Sequence, residues 1–130
     1  MRWLALVIPV LLAGCAANGP PAGPGPKQLA EIADALKGLT PGKPTACIDQ
    51  TRAQNVKTFE GTILYIYSPR EIYRNDVSGG CQGLRSGDTI VSKTPSTRLC
   101  RGDIITTVSR SSPPTFSGSC GLGDFIPYTR

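Results

Sequence analysis

The sequence contains no histidine among its 130 residues. The commonest general base of enzymes is therefore missing, and Ser-His and Cys-His nucleophile pairs are excluded. Ser-x-x-Lys, Gly-x-Ser-x-Gly and phosphate-binding-loop motifs are missing too. The chain also lacks a Cys-x-x-Cys pair, so a zinc site of ordinary spacing is not expected. These absences argue against the most common catalytic classes.

The apolar run near the start is too short to cross a membrane. LALVIPVLL, at 4–12, has about half of the roughly 20 residues that a spanning helix needs. The basic Arg2 before this run and the small residues after it are typical of an export signal that is removed. Leu12-Ala13-Gly14-Cys15 resembles the lipobox of bacterial lipoproteins. That resemblance implies cleavage after residue 14 and lipid attachment to Cys15.

The lipobox resemblance also implies a location. Several acyl chains add roughly 0.8 kcal/mol per buried methylene group, so such an anchor is effectively permanent. In lipoproteins an Asp after the lipidated cysteine favours the inner membrane, whereas Ala16 follows here. We therefore expect an outer-membrane anchor with the protein facing the periplasm. An ordinary secretion signal with a chance cysteine is the alternative.

Basic residues are in mild excess but are scattered along the chain. Without residues 1–14 the chain has 13 Lys and Arg against 9 Asp and Glu. This excess suits an envelope rich in anionic lipid and polymer. There is no lysine-rich run, and Trp3, the single tryptophan, leaves with the signal. Nucleic-acid binding is therefore not expected.

Four cysteines remain once Cys15 is assigned to lipid. An even number in a small exported domain predicts two disulfides, with three possible connectivities. The gaps between Cys47, Cys81, Cys100 and Cys120 are 34, 19 and 20 residues, which does not fit a metal site. We favour Cys81 with Cys100 and Cys47 with Cys120, because the inner pair flanks a candidate hairpin and the outer pair ties the first segment to the last.

A tether and a helix are predicted ahead of the cysteines. Residues 15–26 are rich in Pro and Gly and have almost nothing apolar to bury, as a spacer above the membrane requires. In residues 27–46 an amphipathic helix is predicted, ending near Gly38. Its apolar positions recur at steps of three and four: Leu29, Ile32, Ala33, Leu36 and Leu39. We expect this face to pack on the domain that follows; docking on a partner or on the bilayer is the alternative.

Residues 47–130 have the composition of a β domain. Short β-branched and aromatic runs predict five strands, at 62–68, 71–75, 88–93, 103–110 and 124–129. The first is apolar on both faces, so it is the candidate central strand. The prolines of residues 111–119 predict a surface loop. The expected fold is mainly β: a small antiparallel roll or barrel with one N-terminal amphipathic helix, stapled by disulfides.

Several short motifs together resemble an uncharacterised family of small proteobacterial envelope proteins, domain of unknown function 6491. They are Cys47-Ile48, Thr62-Ile63-Leu64, Tyr73-Arg74-Asn75, Cys81-x-Gly83-Leu84, Arg98-Leu99-Cys100-x-x-Asp103 and Cys120-x-Leu122-Gly123-x-Phe125-x-Pro127. The similarity runs from about residue 47 to 127. It implies a secreted or lipid-anchored domain with recurring cysteines, and it brings no activity, substrate or cofactor.

One group of charged residues is a candidate binding site. Arg98, Arg101 and Asp103 lie close together in sequence around Cys100, and Arg74 is predicted to face outward from a neighbouring strand if Tyr73 faces the core. These residues form a candidate site for a carboxylate, a phosphate or a cell-wall polymer. Ordinary surface ion pairs are the alternative.

We therefore expect a noncatalytic envelope module that binds or supports other components and needs no cofactor. Its partners are the membrane, through lipid, and an envelope protein or an anionic cell-wall polymer. A redox protein with a labile disulfide is one alternative. The other is a cell-wall hydrolase with paired carboxylates. The acids available to it are Glu60, Glu71, Asp76, Asp88, Asp103 and Asp124.

Overall fold

A computed structural model of the chain describes residues 23–79 and 81–130. The signal, Cys15 and most of the tether lie outside these residues. The described part contains one α-helix, α1 (Pro26–Ala35), and eleven strands. The strands are β1 (Thr40–Pro41), β2 (Cys47–Asp49), β3 (Asn55–Phe59), β4 (Thr62–Ser68), β5 (Glu71–Asp76), β6 (Ser78–Gly79), β7 (Thr89–Ser92), β8 (Arg98–Cys100), β9 (Ile104–Val108), β10 (Phe116–Gly121) and β11 (Phe125–Thr129).

The strands form three antiparallel sheets. A five-stranded sheet has the order β1-β11-β5-β4-β3, a four-stranded sheet has the order β6-β10-β9-β7, and β2 pairs with β8. The prediction of a mainly antiparallel β fold with one N-terminal helix is confirmed. No helix within the described ranges is both long enough and apolar enough to span a membrane.

Strand β4 is buried on both faces, as its apolar run predicts. Ile63, Tyr65 and Tyr67 point into the larger core, and Leu64 alternates with them toward α1. The strand lies inside the five-stranded sheet, between β5 and β3, while β5 occupies the middle position. β4 and β5 form a hairpin around Pro69.

The prediction of a loop over residues 111–119 is wrong from Phe116 onward. Pro113 and Pro114 do lie in a loop, but β10 follows them and pairs with both β6 and β9. The buried positions of β10, Gly118 and Cys120, are small, so the sequence shows no strand-like apolar run there. β3 was not predicted either, since it is an edge strand whose first three residues are exposed and largely polar.

The larger core, called the main core below, lies between the five-stranded sheet and the two smaller sheets. Its buried members are Ile48, Ile63, Tyr65, Tyr67, Cys81, Leu84, Leu99, Ile105, Cys120, Leu122 and Phe125. Because every sheet contributes to this list, burial of the main core holds the three sheets together.

Helix α1 covers the opposite face of the five-stranded sheet. Ile32 and Leu36 pack with Phe59, Leu64 and Ile72 in a second apolar cluster, so the helix packs on its own domain. The predicted buried face extends too far toward the start of the helix, because half of the Leu29 surface remains exposed. Only the C-terminal half of α1 reaches the apolar cluster.

The two predicted disulfides are present, but the predicted connectivity is wrong. Cys47 is bonded to Cys100 and Cys81 to Cys120. Cys47 and Cys100 are direct partners in the β2–β8 pairing, which brings their Cβ atoms within bonding reach. Cys81 follows β6, and Cys120 lies on β10, which pairs with β6. Strand neighbours, not the nearest cysteines in sequence, therefore decide the pairing.

Candidate functional site

A cleft of about 350 Å³ opens between the edge strands β3 and β7. We call it the β3–β7 cleft. Its apolar lining consists of Ala53, Val56, Tyr65, Ile90 and Leu99. Its polar and glycine lining consists of Gln50, Thr58, Gly87, Asp88, Thr89, Ser92 and Arg110. The mixture of an apolar wall and a few polar groups is typical of ligand sites.

Side-chain contacts connect the two edges at both ends of the cleft. At one end the Ser92 hydroxyl, on β7, donates to Gln50 Oε1, just before β3, at 3.2 Å. At the other end Arg85 Nη1 lies 3.9 Å from Glu60 Oε2. Glu60 follows β3 and Arg85 precedes β7. The two edges therefore run in opposite directions along the cleft.

Tyr65 is the one lining residue with a buried polar atom that lacks a partner. Its side chain is 4% exposed, and no group of the described residues hydrogen-bonds its hydroxyl. Its ring packs against the Phe125 ring, with 5.8 Å between centroids. Burial raises the pKa of Tyr65 well above its ordinary value, so the hydroxyl is neutral and able both to donate and to accept.

A tight turn places the polar residues on the β7 side of the cleft. The turn begins at Cys81 and includes Gly83, which is buried against three side chains. A Cβ atom at Gly83 would lie 2.6 Å from Asp88 Oδ2 and 2.8 Å from Thr107 Oγ1, so any larger residue would displace these side chains. Gly87, at φ +73°, ends the turn in the left-handed region. Asp88 then enters the lining at the start of β7.

The structure does not bring together the four residues of the predicted anion site, Arg74, Arg98, Arg101 and Asp103. Arg74 lies on the α1 face of the five-stranded sheet, because it alternates with Tyr73, which packs on the main core. The other three lie in β8 and the turn after it, and β8 covers the opposite face of that sheet.

Each of these four residues already contacts or faces a polar partner. The partners are Asp76 for Arg74 at 3.2 Å, Asp124 for Arg101 at 2.8 Å, Asp49 opposite Arg98 in the strand pairing, and the Cys100 N–H, which donates to Asp103 at 2.8 Å. The described geometry therefore separates Arg74 from the rest, pairs Arg101 with Asp124 and places Asp49 opposite Arg98.

The acids considered for hydrolysis do not form a pair in the cleft. Of the residues that line it, Asp88 is the one carboxylate. Four others are ion-paired with arginines: Glu60 with Arg85, Glu71 with Arg52, Asp76 with Arg74 and Asp124 with Arg101. No group of three or more metal-binding side chains occurs in residues 23–79 and 81–130.

Sequence reasoning missed the cleft, because its lining comes from five separate segments of the chain. Tyr65 looked like an ordinary core residue within an apolar run. One signal was available: a tyrosine in a strand buried on both faces has to place its hydroxyl somewhere.

No protein-family model, curated protein or solved structure matches this chain. The resemblance to domain of unknown function 6491 stays a prediction. The fold and the cleft together define a small antiparallel β module with an opening of ligand size.

Proposed function

We propose that this protein is a noncatalytic binding module of the bacterial cell envelope and that its ligand occupies the β3–β7 cleft. Lipid on Cys15 anchors it in the outer membrane, facing the periplasm. The observation that carries the proposal is the buried Tyr65 hydroxyl, which has no protein partner in the described residues and belongs to a cleft-lining side chain.

The unpartnered hydroxyl is costly for the free protein. Leaving a buried donor or acceptor unsatisfied costs about 1–3 kcal/mol. Phenylalanine fits the same apolar surroundings without that cost. The hydroxyl itself is buried, so a ligand reaches it only where neighbouring side chains move aside. A hydrogen bond made there removes the penalty and so favours binding.

The size and lining of the cleft support a ligand rather than a packing defect. Pockets for small ligands and side chains span roughly 300–1,000 Å³ and combine apolar walls with a few polar groups. The β3–β7 cleft lies near the lower end of that range. Asp88 and Arg110 give its lining one charge of each sign. The lining therefore favours neither an anionic nor a cationic ligand, and its size suits a ligand of modest size.

The charged groups support a noncatalytic role. Glycoside hydrolysis needs two carboxyl groups about 5–9.5 Å apart across a cleft. Asp88 has no second carboxylate beside it among the lining residues. Binding, by contrast, needs only the apolar wall and the convergent hydroxyl and amide groups that line this cleft.

The position of the tether is compatible with an envelope module. A Cβ atom at Gly61 would lie 3.4 Å from the Gly23 Cα, so the described chain begins beside the β3–β4 turn. That turn lies at the Glu60 end of the cleft. The segment that follows the proposed anchor therefore enters the domain near this end of the cleft.

The test is an NMR titration of the full mature chain, purified from membranes in detergent and labelled with ¹⁵N. One probe is a pool of muropeptides released from cell wall by muramidase, and the other is a pool of peptides released from envelope proteins by protease. We expect at least one pool to shift the amide signals of Val56, Thr58 and Ile90. Tyr65→Phe should weaken that binding about three- to tenfold, which is the loss of affinity expected when one hydrogen bond is removed.

Tyr73→Phe is the matched control, because the Tyr73 hydroxyl donates to Glu71 and does not line the cleft. It should bind like the wild-type chain. Shifts confined to residues outside the cleft, or no shifts with either pool, would overturn the proposal. Equal binding by the Tyr65→Phe chain would remove the observation on which it rests.

A further inference from the structure

We propose that the ligand is an extended peptide segment of a partner protein, which binds as an additional strand between β3 and β7. This inference rests on the proposed function, because it concerns the same cleft. It adds the class of ligand and the way in which the ligand is held.

The topology places two edge strands on opposite sides of the cleft. β3 ends the five-stranded sheet and β7 ends the four-stranded sheet, and both line the cleft. An open edge strand presents a row of backbone donors and acceptors that another chain pairs with readily. A compact small molecule leaves the backbone groups of both edges unpaired. An extended chain lying between β3 and β7 pairs with the backbone groups of at least one of these edges.

The register of the β3–β4 hairpin shows which groups point into the gap. Its loop has two residues, so Phe59 and Thr62 bond directly to each other, and bonded positions alternate from there. Val56 and Thr58 therefore direct their backbone groups away from β4. The Val56 N–H is taken by the Asn55 side chain at 2.8 Å. Thr58 presents its own N–H and C=O at the edge and its side chain to the cleft.

The cleft also offers a place for side chains of such a strand. Alternate residues of an added strand point to the same side. In this gap they meet the apolar surface of Val56, Leu99 and the Tyr65 ring. This is the usual division in strand addition, where main-chain bonds give affinity and a pocket for alternate side chains gives specificity. The favoured segment alternates uncharged, mainly β-branched or aromatic inward residues with polar outward ones.

Two substitutions at Thr58 separate strand addition from other modes of binding. Thr58→Pro removes the edge N–H, and because that group does not bond to β4, the ladder stays intact. Thr58→Val removes only the hydroxyl and keeps the N–H, so it is the matched control. The probe is a synthetic pool of acetylated, amidated heptapeptides with Val, Ile, Thr and Tyr in alternating patterns.

We expect peptides from this pool to bind the Thr58→Pro chain about tenfold more weakly than the Thr58→Val chain, which keeps the edge N–H. Bound peptide should slow hydrogen exchange of the Thr58 amide at least tenfold. The same peptide methylated on alternate backbone nitrogens should not bind. This last measurement uses only the wild-type chain, so it holds even if Thr58→Pro impairs folding.

The outcomes distinguish this inference from the proposed function. Peptides that bind with no change in Thr58 exchange, or whose methylated forms bind equally well, overturn strand addition. Muropeptides that shift the cleft signals while no heptapeptide binds also overturn it, and both results leave the proposed function standing. If neither probe shifts the cleft signals, both proposals fail.

Discussion

The two faces of β4 are buried in different ways. On one face Leu64 is buried under α1, and the buried side chains around it are all apolar. On the other face its neighbour Tyr65 is equally buried, yet it lines an open cleft and has a hydroxyl without a partner in the described residues. One strand therefore has a fully packed apolar face toward α1 and, on the other face, a polar group whose hydrogen bonding is not satisfied.

The comparison separates what stabilises the fold from what remains available for binding. The α1 face is held by packing and by one hydrogen bond, from the Glu60 N–H to the Gln28 side chain of α1. The opposite face contains both disulfides and the gap between β3 and β7. A small domain that keeps one edge of its sheets open loses some burial there, and covalent cross-links offset that loss.

The disulfides should make the largest contribution to stability. Sequence separations of 53 and 39 correspond to about 4 kcal/mol each in the chain-entropy treatment. We expect the Cys47→Ala/Cys100→Ala chain and the Cys81→Ala/Cys120→Ala chain each to lose a large part of the free energy of unfolding. Urea denaturation measures this. A loss below about 1 kcal/mol in both would show that packing alone holds the cleft side.

Leu64→Ala should be the most damaging single change on the α1 face. A buried leucine truncated to alanine costs about 2–5 kcal/mol, since the removed atoms lose their burial and a cavity remains. Leu64 is fully buried under the helix. Leu29→Ala is the control, because Leu29 is half exposed and should change the free energy of unfolding by less than about 1 kcal/mol. Similar losses in the two chains would contradict the packing described for α1.

The hydroxyls of Tyr65 and Tyr67 should behave differently. The Tyr67 hydroxyl donates to the Asp49 carbonyl at 2.6 Å, so Tyr67→Phe should cost about 1 kcal/mol. Tyr65→Phe removes an unpartnered hydroxyl and should leave the free energy of unfolding unchanged or raise it. Thermal denaturation of the two variants measures the difference. Equal destabilisation would mean that the Tyr65 hydroxyl has a partner in solution.

The smallest effect concerns alkaline pH. Burial raises the pKa of Tyr65, Tyr67 and Tyr73 in the folded chain. The unfolded value is near 10, so the fold favours the neutral form, and this contribution is full below pH 10 and is lost as the pH rises further. Urea denaturation between pH 9 and 11 should show that loss, with a shallower slope for Tyr65→Phe. An unchanged slope would contradict the burial of this phenol.

The parts of the fold that were predictable have strong local patterns. β4 and β5 were found because β-branched and aromatic runs mark them within a few residues. β3 and β10 were missed because exposed polar residues and small residues give no such pattern. The predicted disulfide pairing was wrong because the actual pairing depends on β2 lying beside β8, a contact between segments 53 residues apart. The candidate site depends on the same kind of long-range contact, so sequence alone pointed to the arginines instead.

The most direct test of the central claim is a high-resolution crystal structure of the chain soaked with the muropeptide or peptide that shifts the cleft signals most. The account predicts ligand density between β3 and β7, with a ligand polar atom within about 3.2 Å of the Tyr65 hydroxyl. Ligand bound elsewhere, with an ordered water completing the hydrogen bonds of Tyr65 in an otherwise empty cleft, would contradict it.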